Sequence, residues 1–158
     1  MTNQLAIEFM PSATGLPESV MLTSIVTVVC RRCGGSVGYV YRFPASSISA
    51  TEQDVYIPLV EEPMDQEAAE FAESWAEAGR EVPPGWDGEM LAAELMASAK
   101  KNGRRLNFGT AMGGGVVLST VKQPRLPGYC GACRGARTVG RLQLVDAVAK
   151  NKGILRAT

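Results

Sequence analysis

The four cysteines are the residues of this chain whose types and spacing most clearly indicate chemistry. Cys30 and Cys33 form one C-x-x-C pair, Cys130 and Cys133 form another, and 96 residues (34 to 129) separate the two pairs. Each pair can place two thiolates on one side of a tight turn, and glycine follows both turns, where it suits backbone amides that point at sulfur. Four soft ligands suit a closed tetrahedral site. The sequence therefore predicts one structural Zn²⁺ held by all four cysteines.

Each cysteine pair lies between two extended-looking stretches, and this arrangement resembles a zinc ribbon. The pattern strand, CRRCGG, strand over residues 25–43 is followed by strand, CGACRG, strand over roughly 116–145. In a zinc ribbon two such turns clamp one zinc ion, so the resemblance implies that the two pairs share a metal. It indicates a structural class and no particular family. The two pairs lie much further apart in sequence than those of compact ribbons.

Three other uses of the cysteines remain open at this stage. Two disulfides would fit an oxidising compartment, but the first residues lack the basic start and long apolar core of a signal peptide. A thioredoxin-like redox pair would account for one C-x-x-C and leave the other without a use. Four free thiols would leave the paired spacing unexplained.

Length and composition favour a binding protein over an enzyme. A chain of 158 residues suits one domain, or a small domain with a large insertion. It contains no histidine, which removes the commonest general base and every Ser-His or Cys-His arrangement. We predict no catalytic residues. Because no apolar run is long enough for a bilayer, we expect a soluble, cytoplasmic protein without a membrane partner.

The net charge is zero, but the charges are segregated along the chain. Residues 52–99 hold 13 acidic side chains and one basic side chain, for a net charge of −12. Residues 100–158 hold 12 basic and one acidic, for +11, and residues 1–51 carry +1. Such asymmetry between segments indicates a charged partner, either protein or nucleic acid.

Arginines are concentrated around the cysteine pairs, and a shared metal would bring several of them together. Their forked guanidinium groups suit phosphate oxygens, although they could equally offset thiolate charge or pair with the acidic segment. The residues that we assign to a nucleic-acid or partner surface are Arg31, Arg32, Arg104, Arg105, Arg134 and Arg137.

Hydrophobic patterns place the cysteine turns on strands and the acidic segment on helices. Residues 20–29 and 36–43 are rich in β-branched and aromatic side chains, which predicts two strands around the first turn. Further strands are predicted at 104–108, 116–122 and 138–145, with a short helix after the last, at 147–152.

Between residues 61 and 103, apolar side chains recur every three to four positions on both sides of Pro83-Pro84-Gly85, which predicts a helical hairpin. Trp75 is expected in the core and Trp86 beneath the second helix. We predict an α+β fold, in which a zinc-ribbon-like β module, 1–50 and 104–158, is interrupted by an acidic α-helical insert, 51–103.

The glycine-rich stretch 109–115 offers a third place for function. Successive backbone amides could bind an anion there. The stretch lacks the Gly-Lys-Ser/Thr ending of a P-loop and precedes a predicted strand, so we favour a plain connection. An enzyme with its site in this loop is the hypothesis that we rank last.

We rank two other hypotheses about function above an enzyme. The first is a protein-interaction or assembly factor whose acidic insert docks on a basic partner; an inhibitor of host machinery and a component of a larger particle are two forms that it could take. The alternative is a nucleic-acid- or transcription-associated regulator that places the arginines near the cysteines on DNA or RNA phosphates. Both are compatible with a homo-oligomer.

Overall fold

The computed structural model describes residues 19–45, 51–60, 66–106 and 115–158. Within these ranges the chain forms three helices and nine strands, so the predicted α+β class is confirmed. In chain order the elements are β1 Val20–Leu22, β2 Ser24–Cys30, β3 Ser36–Phe43, β4 Gln53–Pro58, α1 Gln66–Ala78, β5 Arg80–Val82, α2 Gly88–Lys101, β6 Val116–Val117, β7 Arg125–Cys130, β8 Gly135–Gly140, α3 Arg141–Ala149 and β9 Ile154–Ala157.

A five-stranded sheet with the order β9–β2–β3–β4–β6 forms the centre of the fold. Strands β2 and β3 are an antiparallel hairpin, and β4 continues the antiparallel pairing beside β3. Strand β9 runs parallel to β2 and places Ala157 opposite Cys30. Two smaller sheets consist of β1 with β5 and of β7 with β8. The β7–β8 hairpin carries the second cysteine pair.

The two faces of the central sheet pack against different parts of the chain. Neighbouring residues of β4 show this division, because Val55 and Ile57 belong to one apolar cluster and Tyr56 belongs to another. The first cluster includes buried residues of α1 and α2, and the second includes residues of β7, β8 and α3. The acidic helices therefore pack on one face, whereas the second cysteine hairpin packs mainly on the other and contributes Tyr129 to the first cluster.

Both helices predicted in the acidic segment are present. In α1 the buried residues include Ala68, Ala72, Trp75 and Ala76, whose spacing of three to four residues forms one apolar face. Trp75 is 7% exposed and lies in the core, as predicted. The first residues of the predicted helical hairpin, 61–65, lie outside the described residues. The described connection to α2 contains β5, a strand that the sequence pattern did not predict.

The second helix, α2, has a defined start and end. The Asp87 carboxylate accepts a hydrogen bond from the Met90 amide at 3.0 Å, which satisfies one of the free amides of the first turn. Asn102 caps the other end, and Gly103 follows with a φ of 74°. In the described part of the chain, no helix combines the length and the apolar character needed to cross a membrane.

Several predicted strands of the second half of the chain were wrong in extent. Residues 104–106 form no strand, 107–108 lie outside the described residues, and the strand predicted at 116–122 is limited to β6. The strand predicted at 138–145 ends at Gly140, where α3 begins. Leu142 and Leu144 suggested alternation, but Leu144 is fully buried while Leu142 is 70% exposed.

The segment 51–103 that we assigned to the insert contributes β4 to the central sheet as well as two helices. Its helices share an apolar cluster with residues of β3. The division of the chain into a module and an insert stays a prediction.

Candidate metal centre

The two cysteine pairs lie at the tips of two hairpins. We call residues 30–33 the first cysteine turn, between β2 and β3, and residues 130–133 the second cysteine turn, between β7 and β8. In the first, the Gly34 amide donates to the Cys30 carbonyl at 2.8 Å and the Cys30 amide donates to the Gly35 carbonyl at 2.7 Å. In the second, Cys130 is paired with Gly135 across the hairpin.

The two turns share the same backbone conformation after the second cysteine. Gly34 has a φ of 79°, and Arg134, at the corresponding place, has a φ of 55°. Glycine adopts this left-handed region readily, whereas a residue with a side chain is about 1–2 kcal/mol less stable there. Each turn also directs a backbone amide at sulfur: Gly35 donates to Cys33 Sγ at 3.4 Å and Cys133 donates to Cys130 Sγ at 3.3 Å.

All four sulfur atoms converge on one point, as the paired spacing predicted. They lie within 4.8 Å of one another, with Cys33 Sγ 3.4 Å from Cys130 Sγ and Cys30 Sγ 3.9 Å from Cys133 Sγ. These distances are far longer than the roughly 2.05 Å of a disulfide bond, and none of the four cysteines forms a disulfide. The cluster has the geometry of a site that could bind one metal ion.

The cluster has a buried side and a solvent-facing side. Cys30 and Cys130 are fully buried and belong to the second apolar cluster, whereas Cys33 and Cys133 are exposed. Each turn thus contributes one cysteine to either side. A metal ion could enter from solvent and would then be packed against the core.

Arg137 is the arginine that contacts the sulfur cluster directly. Its Nε donates to Cys30 Sγ at 3.2 Å, and its Nη1 donates to the Ala136 carbonyl at 2.8 Å, which orients the guanidinium. A positive group beside a thiolate offsets part of the negative charge that four ionised cysteines would concentrate here. The sequence placed Arg137 near the second turn but gave no sign of this specific bond.

The four thiols have unequal environments. Burial opposes ionisation of Cys30, but the hydrogen bond from Arg137 and the backbone amides of Cys33 and Arg32 outweigh it and lower the pKa to about 6. Burial raises the pKa of Cys130 to about 12. The pKa of Cys133 is also raised, first by its hydrogen bond with Cys33 and then by burial. Cys30 therefore ionises most easily of these three.

The remaining arginines assigned from the sequence fall into two groups. Arg31, Arg32 and Arg134 are exposed on the cysteine turns, and none of them forms an ion pair with a residue that the structure describes. Arg104 instead pairs with Glu67 of α1, and Arg105 is exposed next to it. The exposed arginines on the turns are thus free of the acidic helices.

A buried tyrosine links the central sheet to the second hairpin. Tyr56 on β4 donates its hydroxyl to the Pro127 carbonyl on β7 at 2.7 Å and is fully buried. Gly38 leaves room for this ring, since a Cβ there would lie 2.5 Å from the Tyr56 hydroxyl oxygen. A Cβ on Gly128 would lie 3.0 Å from the Val37 carbonyl. A glycine at position 38, within a strand of large side chains, is the feature of the sequence that could have indicated this close approach of the Tyr56 ring.

Strand β9 connects the two hairpins through its backbone. The Arg31 amide donates to the Ala157 carbonyl at 3.2 Å, and the Thr158 amide donates to the Thr138 carbonyl at 2.9 Å. The segment therefore bonds to the first cysteine turn and to β8 at once. With only four residues, β9 is too short for an alternating strand pattern to be visible in the sequence.

Most of the glycine-rich stretch 109–115 lies outside the described residues. Gly115 itself is packed against α2, because a Cβ there would lie 2.9 Å from Gly88 Cα and 2.7 Å from a methyl group of Val55. Close packing thus explains the glycine at 115, and the enzyme hypothesis for the rest of the loop stays a prediction.

The comparisons with known proteins identify no relative. No family model, no curated protein and no solved structure matches the chain.

Proposed function

We propose that the four cysteines bind one structural Zn²⁺. Four sulfurs placed tetrahedrally at about 2.3 Å from zinc are roughly 3.8 Å apart. The sulfur pairs that bridge the two turns, at 3.4 and 3.9 Å, lie close to this value. An all-sulfur tetrahedral site is typical of zinc or iron–sulfur centres, and a single ion with four cysteines favours zinc. The convergence of the four sulfurs is the observation that carries this proposal.

Metal analysis of freshly purified, reduced protein tests the assignment. We expect one zinc per chain, and loss of that zinc in Cys130→Ser. The variant Arg31→Ala, which changes an exposed residue of the first turn without removing a sulfur, should retain one zinc. Protein that contains no metal, or iron in place of zinc, would overturn the proposal.

A zinc ion held by four thiolates has no open position for water or substrate, so its role would be to fasten the hairpins. We therefore propose a non-enzymatic binding protein, and a protein-interaction or assembly factor as its form. The acidic face of α1 supports this choice. Glu70, Glu73 and Glu77 are exposed on this helix, and a basic partner would offset their like charges. Burial, followed by the charges of Glu77 and Glu70, raises the pKa of Glu73.

Cross-linking in the source cells tests the partner. A basic protein should be captured by the native chain and lost when Glu70, Glu73 and Glu77 are all changed to glutamine. The pair Arg31→Ala and Arg32→Ala is the control and should retain it. Failure to capture any basic protein, or equal loss in both variants, would reject the partner proposal.

Nucleic-acid binding is the second candidate, and one observation favours it. Arg31, Arg32 and Arg134 are exposed and have no acidic partner among the described residues. The buried residues of the acidic helices belong to a different apolar cluster from Cys30 and Cys130. Phosphate contacts would give affinity that falls steeply with salt, with a log–log slope of about −0.9 per phosphate neutralised on duplex DNA.

A salt titration of binding to duplex and single-stranded nucleic acid decides this candidate. Changing Arg31 and Arg32 to alanine should remove the salt-sensitive binding. Changing Lys150 and Lys152, which pair with Asp146, alters the net charge equally and should have little effect. Absence of binding by the intact protein at low salt would eliminate it.

A further inference from the structure

A groove lined by three aromatic side chains lies between α1, β5 and α2. Its volume is about 500 Å³, and Phe71, Trp75 and Trp86 contribute the rings. Glu81 and Glu94 line the same groove and are exposed. Aromatic faces beside carboxylates form an environment that suits a cation, because the ring face is negative and the carboxylates add charge.

The chain itself places a cation on one of these rings. The guanidinium carbon of Arg80 lies 4.4 Å from the centre of the Trp75 ring. Arg80 is the one basic residue among the described residues of the groove, and its Nη1 donates to the Gly79 carbonyl at 3.3 Å. It forms no ion pair with Glu81 or Glu94, so these carboxylates have no cationic partner in the described part of the chain.

The surroundings of the groove are strongly acidic. The outward-facing side of α1 carries Glu70, Glu73 and Glu77, and the first turn of α2 carries Glu89. Segment 52–99 as a whole has one basic residue, Arg80, against 13 acidic ones. A positively charged segment would be drawn to this face, and a negatively charged one would be repelled.

We propose that this groove binds an arginine side chain from a basic segment of a protein partner, an inference that rests on the proposed protein-interaction function. The incoming guanidinium takes the place of Arg80 on the Trp75 ring and reaches Glu81 and Glu94. Arg80 is exposed and moves into solvent. Arginine fits better than lysine, because its planar group stacks on aromatic rings and bonds carboxylates with two parallel donors, whereas an ammonium is a strongly hydrated point charge.

Tryptophan fluorescence of the zinc-loaded full chain reports on this groove, because Trp75 and Trp86 are the two tryptophans of the sequence. The probes are blocked hexa-arginine and hexa-lysine peptides of equal charge, titrated at low salt. We expect hexa-arginine to change the emission and to bind about fivefold more tightly than hexa-lysine. Arg80→Ala removes the internal competitor and should tighten binding about threefold.

Matched charge variants separate groove binding from general attraction. Glu81→Gln with Glu94→Gln should weaken hexa-arginine binding about tenfold. Glu52→Gln with Glu89→Gln removes the same charge from exposed positions outside the groove lining and should change it less than twofold. Equal affinity for the two peptides, equal weakening by the two double variants, or an unchanged emission would each overturn the proposal.

Two further outcomes distinguish failure of the groove assignment from failure of the partner proposal. If cross-linking captures a basic protein while the peptide titration is negative, the groove assignment is wrong and the partner proposal survives. If sedimentation shows self-association that Glu81→Gln with Glu94→Gln abolishes, the occupant is a second copy of this chain. That result would overturn the assignment to a different protein.

Discussion

The two cysteine turns are alike in local geometry and differ in what supports them. Both direct an amide at sulfur and contribute one buried and one exposed cysteine. The first turn joins β2 and β3, which have β9 and β4 as further neighbours in the central sheet. The second turn belongs to a two-stranded sheet. The first is therefore positioned by a broad backbone network, whereas the second depends more on packing and on the Tyr56 contact.

Removal of zinc should have the largest effect and should affect the hairpins unequally. We expect Cys130→Ser, or treatment with a chelator, to lower the free energy of unfolding by roughly 3–5 kcal/mol, because the binding energy of a structural metal is also folding energy. Hydrogen exchange should show loss of protection in β7 and β8 well before β2 and β3. Equal loss in both hairpins would show that the central sheet gives the first turn no additional support.

The Tyr56 hydrogen bond joins the central sheet to the second hairpin without a metal. Two tyrosine variants test how much this bond contributes to stability. Tyr56→Phe removes the bond to the buried Pro127 carbonyl and should lower stability by about 1–2 kcal/mol. Tyr39→Phe is the matched control, because its buried hydroxyl has no hydrogen-bond partner among the described residues. It should leave stability unchanged or raise it. Urea denaturation measures both, and a larger loss in Tyr39→Phe would contradict this account of the link.

Arg137→Gln tests whether the hydrogen bond to the sulfur cluster contributes to metal affinity. Loss of the guanidinium that donates to Cys30 Sγ should weaken zinc binding about tenfold, as removal of a group that bonds a metal ligand commonly does. Competition against a chromophoric chelator gives the affinity. Arg134→Gln removes the same charge from an exposed position and should change the affinity less than twofold. Similar losses in the two variants would mean that net charge matters and the bond does not.

The smallest expected effect comes from exchanging the residues that follow each turn. Gly34→Ala should lower the stability of the zinc-loaded protein by about 1 kcal/mol, because alanine disfavours a φ of 79°. Arg134→Gly should leave it unchanged or raise it by up to about 1 kcal/mol by relieving the same conformation. Thermal denaturation compares the two. A stabilising Gly34→Ala would show that the two turns are not equivalent in their backbone.

The convergence of the four cysteines could be predicted from the sequence because its signal is local. The two-residue spacing between the cysteines of each pair indicates a tight turn. The β-branched residues that precede Cys30 indicate a strand leading into the first cysteine turn. The two acidic-segment helices were also predictable, since the 3–4 residue spacing that includes Ala68, Ala72 and Trp75 is specific to a helical face.

The rest depends on pairing between distant parts of the chain. Strands β5 and β9 have three and four residues, too few for any alternation to be visible, and each exists because of its partner, β1 or β2. The helix predicted at 147–152 overlaps α3 only at residues 147–149. The start of α3 at Arg141 was assigned to a strand because α3 buries Leu144 and Ala147 while Leu142 remains exposed, which leaves a weak helical pattern. The pairing of Arg104 with Glu67 could not be predicted, because charge totals do not specify which side chains meet.

The separation of the cysteine pairs has a consequence during protein synthesis. Cys33 and Cys130 are 97 residues apart, so a ribosome that adds 5–20 residues per second takes roughly 5–20 s between them. Throughout that interval the first pair of thiols exists without the second and can meet oxidants or other metals. A metal ion held by all four cysteines, as proposed, could therefore be bound only late in the life of the nascent chain. A product truncated before β7 would retain an unmatched, reactive pair of thiols.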